Sequence, residues 1–237
     1  MPLRGLITIL FSPAETLDEV SSQARPWLLP LIACVLAAVL MNAMVIERIG
    51  MPTLIRNQLE ESQMGQQLGP EGIQRVVDQA AESPFQKITS YVSAVVGVPG
   101  FLAGIAGIAY GLLMGLGART KFPAVMAAWC WALWPVLLVK VVGSAVFLLL
   151  VHDYTGVDAQ NLVMTSVGAF LSKDAFSPQV RALANGFDAL GFWSIFLQTL
   201  GLQQLSEKVS LVQALGVSVV IYVSGVLIHM AWATVFG

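Results

Sequence analysis

Four side chains interrupt long apolar stretches and could do chemistry there: Asn42, Lys140, Asp188 and His229. A lysine, an aspartate and a histidine at membrane depth usually face a bundle interior or an aqueous cavity, where they carry protons or hold a polar solute. A plainer reading stands beside that one. Lys140 can snorkel to the nearer surface, Asp188 can sit at a helix start, and His229 can cap a helix end. Between them lies a third expectation, a Lys140 to Asp188 ion pair that joins two helices. Such a pair predicts that losing one partner costs more than replacing both with apolar residues, because a single loss strands a charge.

The elements that position these residues follow from composition. The chain of 237 residues is 57% hydrophobic and only 11% charged, with a mean hydropathy of +0.77. An ordinary soluble domain is about 45–50% apolar and about 25% charged. The expected fold is therefore all-α: a polytopic membrane protein with an N-terminal interfacial helix (1–26) and a five-span membrane domain (27–237). A net charge of -2 leaves no footprint for nucleic acid. The bilayer is the first partner.

Residues 27–46 hold no charge, enough at 1.5 Å per residue to cross a hydrocarbon core of about 30 Å. The other expected spans are 88–118, 122–151, 188–206 and 209–235. Two polar loops separate them, 47–87 and 152–187. The first, rich in glutamine, should break at Gly69-Pro70. Cap signatures appear at Ser12-Pro13 with Glu15, at Ser83-Pro84 and at Ser177-Pro178. The stretch Leu6 to Phe11 after Arg4 is too short for a signal peptide, and Leu17 with Val20 edges a helix suited to the membrane surface. Pro135 should kink the third span, since it removes a backbone hydrogen bond and clashes with the preceding turn.

Gly100, Gly104, Gly107, Gly111 and Gly115 recur at steps of four, three, four and four, which aligns them on one helix face. Small residues at that spacing let a second helix backbone approach closely in a membrane. They are expected to sit against another span or a second copy of the chain. Trp129, Trp131 and Trp134 read as interface anchors or helix contacts. Gln198, on one face with Asp188, Gly191 and Ile195, reads as an interhelical hydrogen bonder. Arg4, Arg25, Arg119, Lys121 and Lys208 crowd into the short segments 1–26, 118–121 and 206–208, whereas six basic residues spread over the long loops. That bias places the N-terminus in the cytoplasm and the C-terminus outside. On this topology all four polar candidates fall in the outer half of the membrane, Lys140 about 27 Å along its helix and His229 about 30 Å along its own.

No phosphate-binding glycine loop, HExxH or nucleophile elbow is present, so neither an enzyme nor a cofactor is expected. Cys34 and Cys130 lie in apolar runs without the histidine spacing of a metal site. They read as packing residues.

Several stretches in order resemble the Yip family (Ypt-interacting protein domain), particularly its bacterial members. They are Leu10-Phe11-Ser12-Pro13-Ala14-Glu15-Thr16-Leu17, Trp27-Leu28-Leu29-Pro30-Leu31, Gly117-Ala118-Arg119-Thr120-Lys121-Phe122, the mid-helix Pro135, and Asp188-Ala189-Leu190-Gly191-Phe192-Trp193 leading to Leu200-Gly201-Leu202. The resemblance implies a five-helix integral membrane domain, in the bacterial case in the inner membrane. Eukaryotic members act in vesicle trafficking through small GTPases. The acidic, tyrosine-containing motif that accompanies that role has no counterpart here, so GTPase binding is not carried over. The expected function is a scaffold that binds other membrane proteins or itself. A small-solute or ion transporter using the polar cluster is the alternative, though an odd span count without an internal repeat speaks against it. A lipid-organising protein is the second alternative.

Overall fold

A computed structural model describes residues 2–60, 63–81, 84–154, 157, 162–171, 175–206 and 208–236. They form helices α1 (Pro2–Thr8), α2 (Pro13–Ser21), α3 (Leu28–Ile49), α4 (Met51–Glu60), α5 (Gln63–Ala81), α6 (Pro84–Val92), α7 (Val98–Gly115), α8 (Phe122–Leu150), α9 (Pro178–Asn185), α10 (Ala189–Leu205) and α11 (Leu211–Phe236). Among the described residues there is no strand, only two isolated antiparallel bridges. The fold is all-α.

Among the described residues, four helices are long and apolar enough to cross a membrane: Leu28–Ile49, Phe85–Gly115, Phe122–Leu150 and Leu211–Trp232. The chain is an integral membrane protein. The expected span at 188–206 is α10, which has only 17 residues. At about 25 Å it falls short of a hydrocarbon core of about 30 Å.

The second span starts at Pro84 and runs through a π-helical turn, Ser93–Gly97, into α7. Pro99 follows that turn and has no N–H to return to the preceding carbonyls, so a wider turn is the local solution. The expected cap at Ser83 lies outside the described residues. Pro135 is buried inside α8, which continues across it as one element.

Helix α8 is the hub, and every residue from Val125 to Ala132 is buried. Against it lie α3, α7 and α10. Cys34 on α3 donates its thiol to the Cys130 carbonyl at 3.7 Å, and both cysteines are free and buried. On α10, a Cβ at Gly201 would lie 2.9 Å from Ala128 Cβ and 3.0 Å from its Cα, so these two helices meet backbone to backbone. From α7, Leu102, Ala106, Ala109 and Leu113 pack into the same core as Val125, Met126 and Trp129.

That last contact corrects the glycine expectation as far as packing within this chain is concerned. Gly100, Gly104, Gly107, Gly111 and Gly115 are all exposed, and a Cβ on any of them would meet nothing within 4 Å. At 100° per residue they lie roughly half a turn from the buried leucine and alanine row. They do not pack against another span of this chain, because the alanines already provide the close approach to α8.

The two ends of the bundle differ. At one, α7 closes with Gly117 in the left-handed region (φ 75), with Ala118 N–H on the Leu113 carbonyl at 2.9 Å and Gly117 N–H on Met114 at 3.0 Å. This Schellman closure turns the chain sharply into α8. Arg119 and Lys208 then exchange two backbone hydrogen bonds at 3.2 Å, and Thr120 and Ser206 share a hydroxyl contact of 2.8 Å. Segments 118–121 and 206–208, grouped by their basic residues, therefore meet in space.

At the opposite end the polar loops touch each other. Buried Asn57 donates to the carbonyls of Tyr154 (3.0 Å) and Val157 (3.1 Å). The break in α5 falls at Gly69 (φ 66, ψ 174) before Pro70, as the sequence predicts.

Candidate functional site

A cleft of about 350 Å³ opens between α7, α8, α9, α10 and α11. Its walls are mostly apolar, with Phe101, Ile105 and Leu133 among them. Its polar groups are Asn185, Ser194, Gln198, Tyr222 and His229.

Local sequence places each of these. Ser177 starts α9 as its N-cap, its Oγ accepting the Val180 N–H at 3.4 Å, which brings Asn185 to the far end of that short helix. Asn185 Oδ1 there accepts the Ser166 hydroxyl at 2.9 Å. Asp188 caps α10, its Oδ1 accepting the Leu190 N–H at 3.1 Å. One and two turns into α10 come Ser194 and Gln198. On α11, Tyr222, Gly225 and His229 recur at steps of three and four and share a face.

Tyr222 holds the corner. Its hydroxyl donates to the Gly186 carbonyl at 2.9 Å, and its ring lies over Gly191, where any Cβ would collide with the phenol oxygen. Gly186 in turn accommodates Val226, whose nearest methyl would lie 2.6 Å from an added Cβ. These glycines, not those of α7, let helices close together.

Of the four predicted polar residues, only His229 lines this cleft. Asn42 ties α3 to α6 through its Nδ2 and the Ser90 carbonyl at 3.3 Å. Asp188 spends an oxygen on its own helix cap. Lys140 is half-buried on α8, and its side chain forms no hydrogen bond or ion pair with any described residue. The expected Lys140 to Asp188 pair is therefore not made, and the Asp188 carboxylate serves its own helix end instead. Gln198 is also corrected. Its Nε2 donates to Ser194 Oγ at 3.0 Å, one turn back on the same helix, and not to a neighbouring one.

Sequence reading missed Tyr222 and Asn185. The signal for Tyr222 was available, since it stands one and two turns before Gly225 and His229. Nothing local marks Asn185, which enters the wall through the path of α9. Among the described residues no three histidine, cysteine or acidic side chains are grouped to hold a metal.

The sequence profile of the Yip1 domain family matches residues 7–232, nearly the whole chain. The protein belongs to the Yip1 domain family. No curated protein and no solved structure matches it. The stretches that carry the resemblance now have structural roles in this Yip1 domain. Gly117 to Phe122 forms the closed basic turn, Asp188 caps the short α10, and Gly201 is the point of closest approach to α8.

The tryptophans of α8 act as helix contacts. Trp129 sits in the core and on the cleft wall. Trp131 Nε1 donates to the Pro26 carbonyl at 2.9 Å and Trp134 Nε1 to the Leu6 carbonyl at 2.7 Å, so two of them hold the segment before α3.

Proposed function

We propose that this Yip1-domain protein is a non-enzymatic membrane scaffold that receives the helix of a second membrane protein, or of a second copy, on the glycine face of α7. One observation carries the reading: five glycines stand on the side of α7 opposite its buried row, with nothing within 4 Å of an added Cβ. A helix backbone can approach there as closely as Gly201 approaches Ala128, and that closeness is what drives association where lipid and side chain are equally apolar.

In this reading α10 counts as a fifth crossing. The basic turns face the cytoplasm of a bacterial cell, and the C-terminus lies outside. A cytoplasm-only reporter that is active when fused after Gly237 would overturn the orientation.

The test of the scaffold is self-association and partner capture in bilayers, compared between the natural chain and a Gly104→Ile/Gly111→Ile variant. The reading expects association in the first and its loss in the second, with folding unchanged. Equal association in both, or none in either together with no co-purifying membrane protein, would reject it. Transport rests on the cleft alone, which gathers His229 but not Lys140 or Asp188. Solute flux in liposomes that disappears on His229→Ala would favour that alternative.

A further inference from the structure

The hairpin α1–α2 is held to the flank of the bundle at a depth that can be read along α8. Helix α8 has 29 residues, about 43 Å, against a hydrocarbon core of about 30 Å, which leaves about 6 Å beyond the core at each end when it is centred. Trp134 stands about 18 Å from the start of α8, and its side chain leans about one turn back toward that start. The Leu6 carbonyl that it grips therefore lies several ångströms below the hydrocarbon boundary. Trp131, one turn nearer the surface, grips Pro26 close to that boundary.

The outward faces of the two helices agree with this depth. On α1 and the turn that follows it, Leu3, Ile7 and Phe11 recur at steps of four and are 71%, 62% and 81% exposed. On α2, the exposed side chains include Glu15, Asp18 and Glu19, while Leu17 and Val20 are buried against Ala127 and Trp131. Among its described exposed side chains, α1 presents lipid-compatible groups outward apart from Arg4, whose stem is long enough to snorkel. The other presents carboxylates.

The backbone supplies an independent observation. The last turn of a helix leaves four carbonyls without intrahelical partners, and in acyl chains each costs several kcal/mol. In α1 all four are met. Gly5 accepts from Ile9 N–H (3.0 Å), Leu6 from Trp134, Ile7 from Leu10 N–H (3.1 Å), and Thr8 from Phe11 and Ser12 N–H (3.0 and 2.7 Å). The end of α2 is finished differently, with exposed Ser21 and Ser22 donating to the Asp18 and Glu19 carbonyls. The polar side chains exposed at this end, Ser21 and Ser22 beside Asp18 and Glu19, suit the headgroup side.

We infer that α1 is embedded in the acyl chains of one leaflet, the one on the side of the Arg119–Lys208 turn, with α2 above it at the headgroups. The occupant of the Leu3, Ile7 and Phe11 face is lipid hydrocarbon. The hairpin also covers the end of α10, where Leu200 and Leu205 pack against it, so a helix too short to cross alone ends under protein instead of against lipid. A depth of about 5–10 Å is usual for in-plane amphipathic helices.

The test places single cysteines at Leu3, Ile7, Phe11, Glu15 and Asp18 for spin labelling of the full chain in liposomes. Cys34 and Cys130 are fully buried, and the unsubstituted chain controls for their labelling. Relaxation by dissolved oxygen is then compared with relaxation by a water-soluble nickel chelate. The oxygen-to-nickel ratio should be several-fold higher at 3, 7 and 11 than at 15 and 18. Nickel access at 3, 7 and 11 equal to that at 18 would put the hairpin in water and overturn the inference. Exclusion of both reagents from 3, 7 and 11 would overturn it too, because protein would then cover the face. Neither result bears on association through α7, which the glycine variants read separately.

Discussion

Two sets of glycines in this molecule have opposite surroundings. The five of α7 are regular in spacing and touch nothing, whereas Gly191 and Gly201 of α10 are ten residues apart and lie under Tyr222 and Ala128. Regular spacing shows that residues share a face. It does not show which face meets the bundle. On α7 the bundle takes the row with Ala106 and Ala109, because a methyl group adds contact area where the backbones can still come near. On α10 the contact with α8 is closer than a methyl permits, and only glycine fits.

The comparison is most directly broken at Gly201. Gly201→Leu forces side-chain atoms into the α8 backbone, and unfolding titrations in mixed micelles should show a loss of about 3 kcal/mol. A loss under about 0.5 kcal/mol would mean that α8 and α10 are not in close contact. Gly191→Ala comes next, at about 1–2 kcal/mol, since the Tyr222 ring must move and release the Gly186 carbonyl. Here the double variant Gly191→Ala/Tyr222→Phe should recover part of the loss, and strict additivity would place the collision elsewhere.

Asp188→Ala should cost about 1 kcal/mol as a lost helix cap. Combined with Lys140→Met the effects should add, because no ion pair joins the two. A strong non-additive recovery in that cycle would restore the ion-pair idea. The smallest effect belongs to α7. Gly104→Ala and Gly111→Ala should not destabilise the single chain and should each raise its stability by about 0.5–1 kcal/mol at most, because alanine is the better helix former and the added methyl meets nothing within 4 Å. A loss in monomeric conditions would show that this face is packed after all.

Much of the architecture was legible from composition and punctuation. Long apolar stretches with few charges located the four long helices, Gly69-Pro70 marked the break in α5, and Ser177 capped α9 as its motif predicts. The capping box at Ser12 and Glu15 did not form. Ser12 makes no side-chain cap, and Thr16 donates instead to the Ser12 carbonyl and the Thr8 hydroxyl, both at 2.9 Å. A cap motif competes with whatever else lies near, and here the α1 turn lies near. The candidate site was less legible still. Asn42, Lys140, Asp188 and His229 are alike in being polar at membrane depth, yet Asn42 bonds to α6, Asp188 caps its own helix, His229 lines the cleft and Lys140 stands apart from all three.

Residue types and their spacing determined that this chain crosses a membrane, that its basic turns belong together, and that five glycines share one side of a helix. Hydrophobic transfer and helix periodicity act locally along the chain, so a local pattern can report them. Tertiary structure alone decided which side of α7 is inside, that α10 meets α8 through Gly201, and that α1 and α2 are pinned by Trp131 and Trp134. Those outcomes depend on distances between segments far apart in the chain. A helix face carries no mark of its partner until the partner's backbone has come within reach.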